Sequence, residues 1–119
     1  MTANEHQRKF ENIEALLNEK IMDVNTTTHC DWVAVVMHYG AVHLVEKKLA
    51  ARKTPMYSAN HSVRNKEARD MKAGPKLYGE LMLLHNASQD ARYNNKFFTN
   101  DEIKELLDSY NLIKNILGA

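Results

Sequence analysis

One apolar stretch, CDWVAVVMHYGAVHLVEKKL at residues 30–49, constrains the fold of this chain more than any other segment. It is longer than an ordinary strand and has no turn signal, which favours a helix despite its β-branched residues. Apolar side chains surround the axis of this helix almost completely. Such a helix is buried on all sides or shares a face with a second subunit. The sequence therefore predicts a central helix over about residues 31–51.

Apolar residues elsewhere in the chain recur every three or four positions, as in amphipathic helices. No strand pair or internal repeat interrupts this pattern. The pattern predicts four further helices: a first over about 5–24, a short polar third over about 61–72, a fourth over about 75–91, and a fifth after the capping box at 99–102. The chain is thus expected to be all-α, an antiparallel bundle of four to five helices in a single domain over 1–119.

Several residues are expected to begin or end these helices. Thr28 is a candidate N-cap for the central helix, and Pro75 suits the first turn of the fourth. Gly118 is expected to end the fifth helix. Glycine inside a helix costs up to about 1 kcal/mol against alanine. Gly40 and Gly79 therefore predict places where another helix approaches closely.

Composition favours a protein of the reducing cytoplasm. Cys30 is the only cysteine, so no intrachain disulfide can form. No apolar run reaches the ~20 residues needed to cross a bilayer. The first ten residues, MTANEHQRKF, lack the apolar region of a signal peptide. We therefore expect a cytoplasmic protein that does not insert into membranes.

Basic residues are concentrated in the centre of the chain. Residues 46–76 carry nine lysines and arginines against three acids, a local net charge of +6, whereas the whole chain has +1. Such a segment favours an anionic partner such as RNA or a nucleotide. The alternative is a solvated face whose charges pair with the acidic helices on either side.

Three polar residues follow one edge of the central helix. Tyr39, His43 and Glu46 stand at i, i+4 and i+7, so their side chains lie one above the other. A buried polar group without a partner costs roughly 1–3 kcal/mol, which predicts a partner for each. The row either belongs to a binding site or holds adjacent helices in register.

Two other segments offer groups that suit phosphodiester chemistry. His61 and Arg64 stand three apart at the start of the third helix and face the same way, and Arg92 and Tyr93 end the fourth. Imidazoles exchange protons near neutral pH, and guanidinium groups bind phosphate in two-point geometry. If these segments meet the central helix in one pocket, the candidate proton-transfer groups are His43 and His61, and the candidate phosphate or ligand contacts are Tyr39, Arg64, Arg92 and Tyr93.

Spacing within single helices argues against a metal or a bound cofactor. His38 and His43 are five residues apart, which separates them by about 140° around a helix. No histidine pair has the i, i+4 spacing of zinc helices, and no Glu-x-x-His pattern suits di-iron. No glycine-rich phosphate loop occurs. We therefore expect no metal and no cofactor.

Three segments together resemble small bacterial and archaeal members of the HEPN superfamily. They are DWVAVVMHYGAVHLVEKKLA, HSVRNKEARD with its His-x-x-Arg element, and KLYGELMLLHNASQDARY with its Ser-x-x-Ala-Arg-Tyr ending. The resemblance spans about residues 5–117. It implies an all-α bundle, often a homodimer, with roles in RNA cleavage, nucleotide chemistry or toxin–antitoxin modules. The matching positions are Tyr39, His43, His61, Arg64, Arg92 and Tyr93.

The chain departs from the ribonuclease members of that superfamily. Those members have an arginine followed after four to six residues by a histidine, and no arginine here has that partner. Whether the protein is an enzyme is therefore left open. The leading hypothesis is a dimeric RNA- or nucleotide-binding module of the toxin–antitoxin kind, with a cognate antitoxin as partner. The alternatives are a noncatalytic dimerisation or partner-binding bundle and an endoribonuclease with a non-standard site.

Overall fold

A computed structural model describes residues 1–58, 60–71 and 73–119, and most of these residues are helical. No strand occurs in that part of the chain, so the all-α prediction is confirmed. The helices are α1 (Ala3–Leu17), α2 (Cys30–Ala50), α3 (His61–Arg69), α4 (Gly74–Tyr93) and α5 (Asn100–Leu117), with a 3₁₀ turn at Lys20–Met22 between α1 and α2.

The helix α2 is the central element, as its apolar composition predicts. It packs against α1, α4 and α5 and also touches α3. Val33, Val42 and Val45, which stand at different angles around the helix axis, are all buried. Trp32 and Tyr39 are exposed on one edge of α2. That edge is where aromatic side chains of the central helix reach solvent.

The close approach expected at Gly40 is confirmed. A Cβ atom there would lie 2.6 Å from the hydroxyl oxygen of Tyr110 on α5 and 3.1 Å from Cγ2 of Ile13 on α1. Tyr110 is buried, and its hydroxyl donates to Oε2 of Glu14 at 3.0 Å, so the ring is held in place. The same expectation for Gly79 is wrong, because no atom lies within 4 Å of a Cβ built there.

The first helix is shorter than its apolar pattern predicts. It ends at Leu17, and the chain is extended at Glu19 before the 3₁₀ turn. Met22 is buried in the core while Ile21 is exposed. Apolar spacing therefore continues across a break in the helix, which is why periodicity alone extends the prediction to residue 24.

Some of the predicted helix ends are confirmed and one is wrong. The capping box of Thr99 and Glu102 is confirmed, and Gly118 ends α5 with a φ of 72°. The Thr28 prediction is wrong, because His29 occupies the N-cap position of α2 and its N–H donates to the hydroxyl of Thr27 at 2.9 Å. The helix α3 ends at Arg69, and its expected end at Lys72 lies outside the described residues. Within the described ranges, no helix has both the length and the apolar character needed to span a membrane.

The two glycines provide a matched test of this packing. Gly40→Ala is expected to lower the free energy of unfolding by about 1–3 kcal/mol, because the new methyl group collides with the held ring of Tyr110. Gly79→Ala is expected to raise it by about 0.5–1 kcal/mol, because the position is open and alanine is the better helix former. Urea unfolding followed by circular dichroism measures both. Equal stability of the two variants would contradict the close approach at Gly40.

Candidate functional site

The short helix α3 meets the rest of the protein mainly through polar contacts. Its buried residues are Arg64, Asn65 and Ala68, so alanine is its only buried apolar side chain. Arg64 lies 3.6 Å from the carboxylate of Glu46 on α2, and the two side chains are only 7% and 10% exposed. The amide of Asn65 donates to Sδ of Met82 on α4 at 3.4 Å. A buried ion pair and an amide contact thus place α3 against α2 and α4.

Three histidines from three helices meet at this point. His38 comes from α2, His61 is the first residue of α3, and His85 comes from α4. Their ring centres are 5.3 Å apart for His38 and His85, 5.2 Å for His61 and His85, and 6.0 Å for His38 and His61. Each histidine has one ring nitrogen that could bind a metal, and these three nitrogens all lie within 4.8 Å of one another. These three residues are called the histidine cluster below.

The histidine cluster has unused hydrogen-bonding capacity. His38 is fully buried, and neither of its ring nitrogens has a partner among the described residues. The Nδ1 atom of His85 also lacks one in that part of the chain. Among the described residues only His61 is engaged, since its Nδ1 contacts the guanidinium of Arg64. A buried polar atom without a partner costs about 1–3 kcal/mol, so the cluster carries an unfavourable free energy that a ligand would relieve.

Burial favours the neutral form of all three imidazoles. It lowers the pKa of His38 to about 3, and the nearby His85 and Arg64 add to the effect. Burial, followed by the charges of Arg64 and of other neighbours, also lowers the pKa values of His61 and His85. A neutral imidazole keeps one nitrogen lone pair. The cluster therefore offers three such lone pairs close together.

Solvent reaches the cluster from one side. A pocket of about 300 Å³ between α3 and α4 is lined by His61 and His85, together with the cationic side chains Lys66 and Arg69. His38 closes the cluster from the α2 side, because it is fully buried. A small ligand can therefore enter beside His61 and His85 and find a positively charged rim.

Arg92, near the end of α4, lies against two tyrosines. Its Nη1 donates to the hydroxyl of Tyr39 at 3.3 Å, and its Nε donates to the carbonyl of Ser88 at 3.4 Å. The guanidinium carbon is 5.8 Å from the ring centre of Tyr39 and 5.0 Å from that of Tyr93. No carboxylate in the described ranges lies within 4.0 Å of this cation. Arg92 is thus positioned by its neighbours but not neutralised.

Exposed aromatic rings surround Arg92. Tyr93 is 68% exposed and Trp32 is 63% exposed. Trp32 and Arg92 line a pocket of about 230 Å³ with Asp31, Val35 and Ala91 between α2 and α4. The residues Trp32, Tyr39, Arg92 and Tyr93 are called the aromatic–arginine surface below. It combines a fixed positive charge with flat apolar rings that are open to solvent.

Each member of the polar row on α2 contacts a different helix, so the expectation that each has a partner is confirmed. The row thus connects α2 to three of its neighbours. The contacts are Tyr39 with Arg92 of α4, His43 with His6 of α1, and Glu46 with Arg64 of α3.

The predicted site residues fall into separate groups. Tyr39, Arg92 and Tyr93 come together on one surface, and His61 and Arg64 meet beside the histidine cluster. His43 lies apart from both, because it points toward α1 and its Nδ1 is 3.0 Å from Nδ1 of His6. The five-residue separation from His38 turns it about 140° around α2.

Sequence reasoning missed two members of the histidine cluster. His38 is adjacent in the chain to Tyr39, and His85 precedes Arg92 by seven residues, two turns along one face of α4. That spacing was the available signal for His85. Spacing within a single helix predicts only ligands that share that helix, so it does not cover ligands that three different helices supply.

The comparisons with known proteins assign this chain to no family. Protein-family models, curated proteins and solved structures all give no match to it. The HEPN resemblance therefore stays a prediction. A function for this chain must be inferred from the geometry of its side chains.

The contact between His6 and His43 predicts that the protein loses stability in acid. Burial lowers the pKa of His6, against a smaller opposing effect of Glu46, and burial together with His6 lowers the pKa of His43. The unfolded chain therefore binds protons at a higher pH than the folded chain does, and stability falls as the pH drops below about 6.5. His43→Gln removes one of these protonation sites, so its free energy of unfolding should depend less steeply on pH.

Urea unfolding of the wild type and of His43→Gln at pH 7 and at pH 5.5 measures this difference. His6→Gln serves as the second variant, because it removes the other member of the same contact. Wild type should lose more stability between the two pH values than either variant does. Equal losses in all three proteins would contradict the prediction. They would show that folding does not lower the pKa values of these two imidazoles.

Proposed function

We propose that this protein is an antiparallel helical bundle of the HEPN type that binds RNA or a nucleotide in the cytoplasm, with Arg92 on a phosphate group. The observation that carries this proposal is the guanidinium of Arg92, which Tyr39 and the Ser88 carbonyl position. No carboxylate in the described ranges pairs with it. Arginine binds phosphate through two parallel hydrogen bonds, and a pre-positioned guanidinium loses little freedom on binding.

Aromatic rings beside Arg92 suit the bases of such a ligand. Tyr93 and Trp32 are both exposed and apolar-faced. Stacking of a base on an aromatic side chain is worth about 1–3 kcal/mol and tolerates any base. The pocket beside Trp32 has a volume of about 230 Å³, which suits a base or a ribose. This arrangement supports binding that depends on charge and stacking more than on sequence.

The other predicted phosphate contact, Arg64, has a different role in this proposal. It is buried against Glu46 and touches His61, so it positions α3 and does not reach the ligand. Lys66 and Arg69, which are exposed at the pocket beside His61, extend the positive surface. Part of the basic segment is already neutralised, since Arg52 pairs with Glu67 at 3.1 Å. RNA binding therefore uses only some of the central basic residues.

The rival reading is a noncatalytic bundle whose exposed rings bind a second copy of this chain or a partner protein such as an antitoxin. Trp32 and Tyr93 support it, because both are exposed beside Arg92 and a contiguous exposed apolar patch marks protein–protein interaction sites. Cleavage of RNA at a non-standard site is the third reading, and it needs His61, the predicted proton-transfer group that lies at an open pocket. Binding assays that recover and size the RNA distinguish these readings.

Arg92→Ala is expected to weaken RNA binding by about 10–100-fold, the loss of a charge-assisted contact to phosphate. Fluorescence anisotropy with a labelled single-stranded RNA, and competition by free nucleotides, measures the affinity. Arg8→Ala is the matched control, because Arg8 is exposed on α1 and its removal changes the charge equally. The logarithm of the wild-type affinity should fall linearly with the logarithm of salt concentration.

Three results would count against this proposal. They are an absence of binding to any RNA or nucleotide tested, binding that does not depend on salt, and equal binding by the Arg92→Ala and Arg8→Ala variants. A monomer–dimer equilibrium that Trp32→Ala abolishes, with no RNA binding, would establish the rival instead. RNA that is shortened by wild type but not by His61→Ala would establish the third reading.

A further inference from the structure

In the described part of the chain, the histidine cluster is the one place where three side chains of the kinds that ligate metals, here from three helices, converge on a shared point. None of the three is engaged by a carboxylate there. Imidazole nitrogen is a preferred ligand for zinc, copper, nickel and cobalt, whereas magnesium and calcium prefer oxygen. The donor set therefore selects a divalent transition metal over the hard cations.

We infer that His38, His61 and His85 form a binding site for a divalent transition metal ion of the zinc class. Each histidine supplies one ring nitrogen, and the three nitrogens lie within 4.8 Å of one another. In a tetrahedral site with Zn–N distances of about 2.0–2.1 Å they lie about 3.4 Å apart. Closing this difference takes rotations of side chains, chiefly that of His61, which is exposed at the first turn of a short helix.

Burial of His38 is the second observation that points to a ligand. The side chain is fully buried, and both of its ring nitrogens lack partners among the described residues, as does Nδ1 of His85. An apolar residue of similar size would fill the same space without that penalty. Coordination of an ion uses the lone pair of each ring, which turns an unfavourable buried group into a ligand.

Positively charged side chains near the cluster favour an anion at the fourth coordination position of the ion. Glu46 balances the charge of Arg64, whose guanidinium contacts Nδ1 of His61, so an ion either binds the other ring nitrogen of His61 or displaces this contact. The charge of Arg92 acts on all three imidazoles, and Lys66 and Arg69 line the open pocket. A three-histidine ion keeps one open position. That position faces a positively charged pocket, which suits hydroxide or a phosphate oxygen.

The inference does not depend on RNA binding, because the metal ligands and the aromatic–arginine surface are different side chains. Metal titration with no RNA present therefore tests it alone. Zinc is added to the chelator-treated full-length chain at pH 7, and binding is measured by calorimetry and by competition with a zinc indicator. One ion per chain is expected. Cobalt should give the intense visible absorption of tetrahedral coordination, and zinc should raise the melting temperature, because the ion joins α2, α3 and α4.

His61→Ala is the main variant, because its side chain is exposed and its loss should leave the core intact. It is expected to weaken zinc binding by at least about 100-fold, and His85→Ala should do the same. His43→Gln is the matched control, since it removes a histidine of the same helix α2 that lies outside the cluster. It should bind zinc as wild type does.

Two outcomes would overturn the inference. One is no zinc or cobalt binding by wild type below millimolar concentration. The other is binding that His61→Ala and His85→Ala leave unchanged, or that only His43→Gln removes, which would place the ion at other residues. Circular dichroism of each variant confirms that it is folded before its affinity is compared, so loss of the fold is not mistaken for loss of a ligand.

Discussion

The buried ion pair between Glu46 and Arg64 is the interaction on which the geometry of this site depends. The helix α3 has alanine as its only buried apolar side chain, so hydrophobic burial cannot by itself decide where it lies. The ion pair joins it to the central helix at 3.6 Å. A buried charge that lost its partner would be destabilising by several kcal/mol, which makes other positions of α3 unfavourable. That position in turn brings His61 beside His38 and His85.

Much of the fold could be predicted because its signals are local. The long apolar stretch predicts α2 to within about one residue at each end, and the reciprocal cap of Thr99 and Glu102 predicts the start of α5. The end of α1 could not be predicted, because the apolar pattern continues through the 3₁₀ turn that keeps Met22 in the core. Local patterns of this kind say which residues are buried but not where the helix stops.

The candidate site was less predictable, since it depends on contacts between residues distant in the chain. His38, His61 and His85 meet only because three helices converge, and no spacing within one helix encodes that. The row of Tyr39, His43 and Glu46 could be predicted from their spacing on α2. Their partners could not, because they come from α1, α3 and α4. Two polar sites result: a charged aromatic surface around Arg92 and a more enclosed group of imidazoles.

A double-mutant cycle on the buried ion pair tests this account most directly. The single variants Glu46→Gln and Arg64→Met and their combination give a coupling free energy from urea unfolding. The expected coupling for this pair is above about 1.5 kcal/mol, because each buried charge depends on the other. The less buried pair of Arg52 and Glu67, whose side chains are 36% and 24% exposed, should give less than about 1 kcal/mol. A coupling at Glu46 and Arg64 no larger than that at Arg52 and Glu67 would contradict the role given to this buried pair.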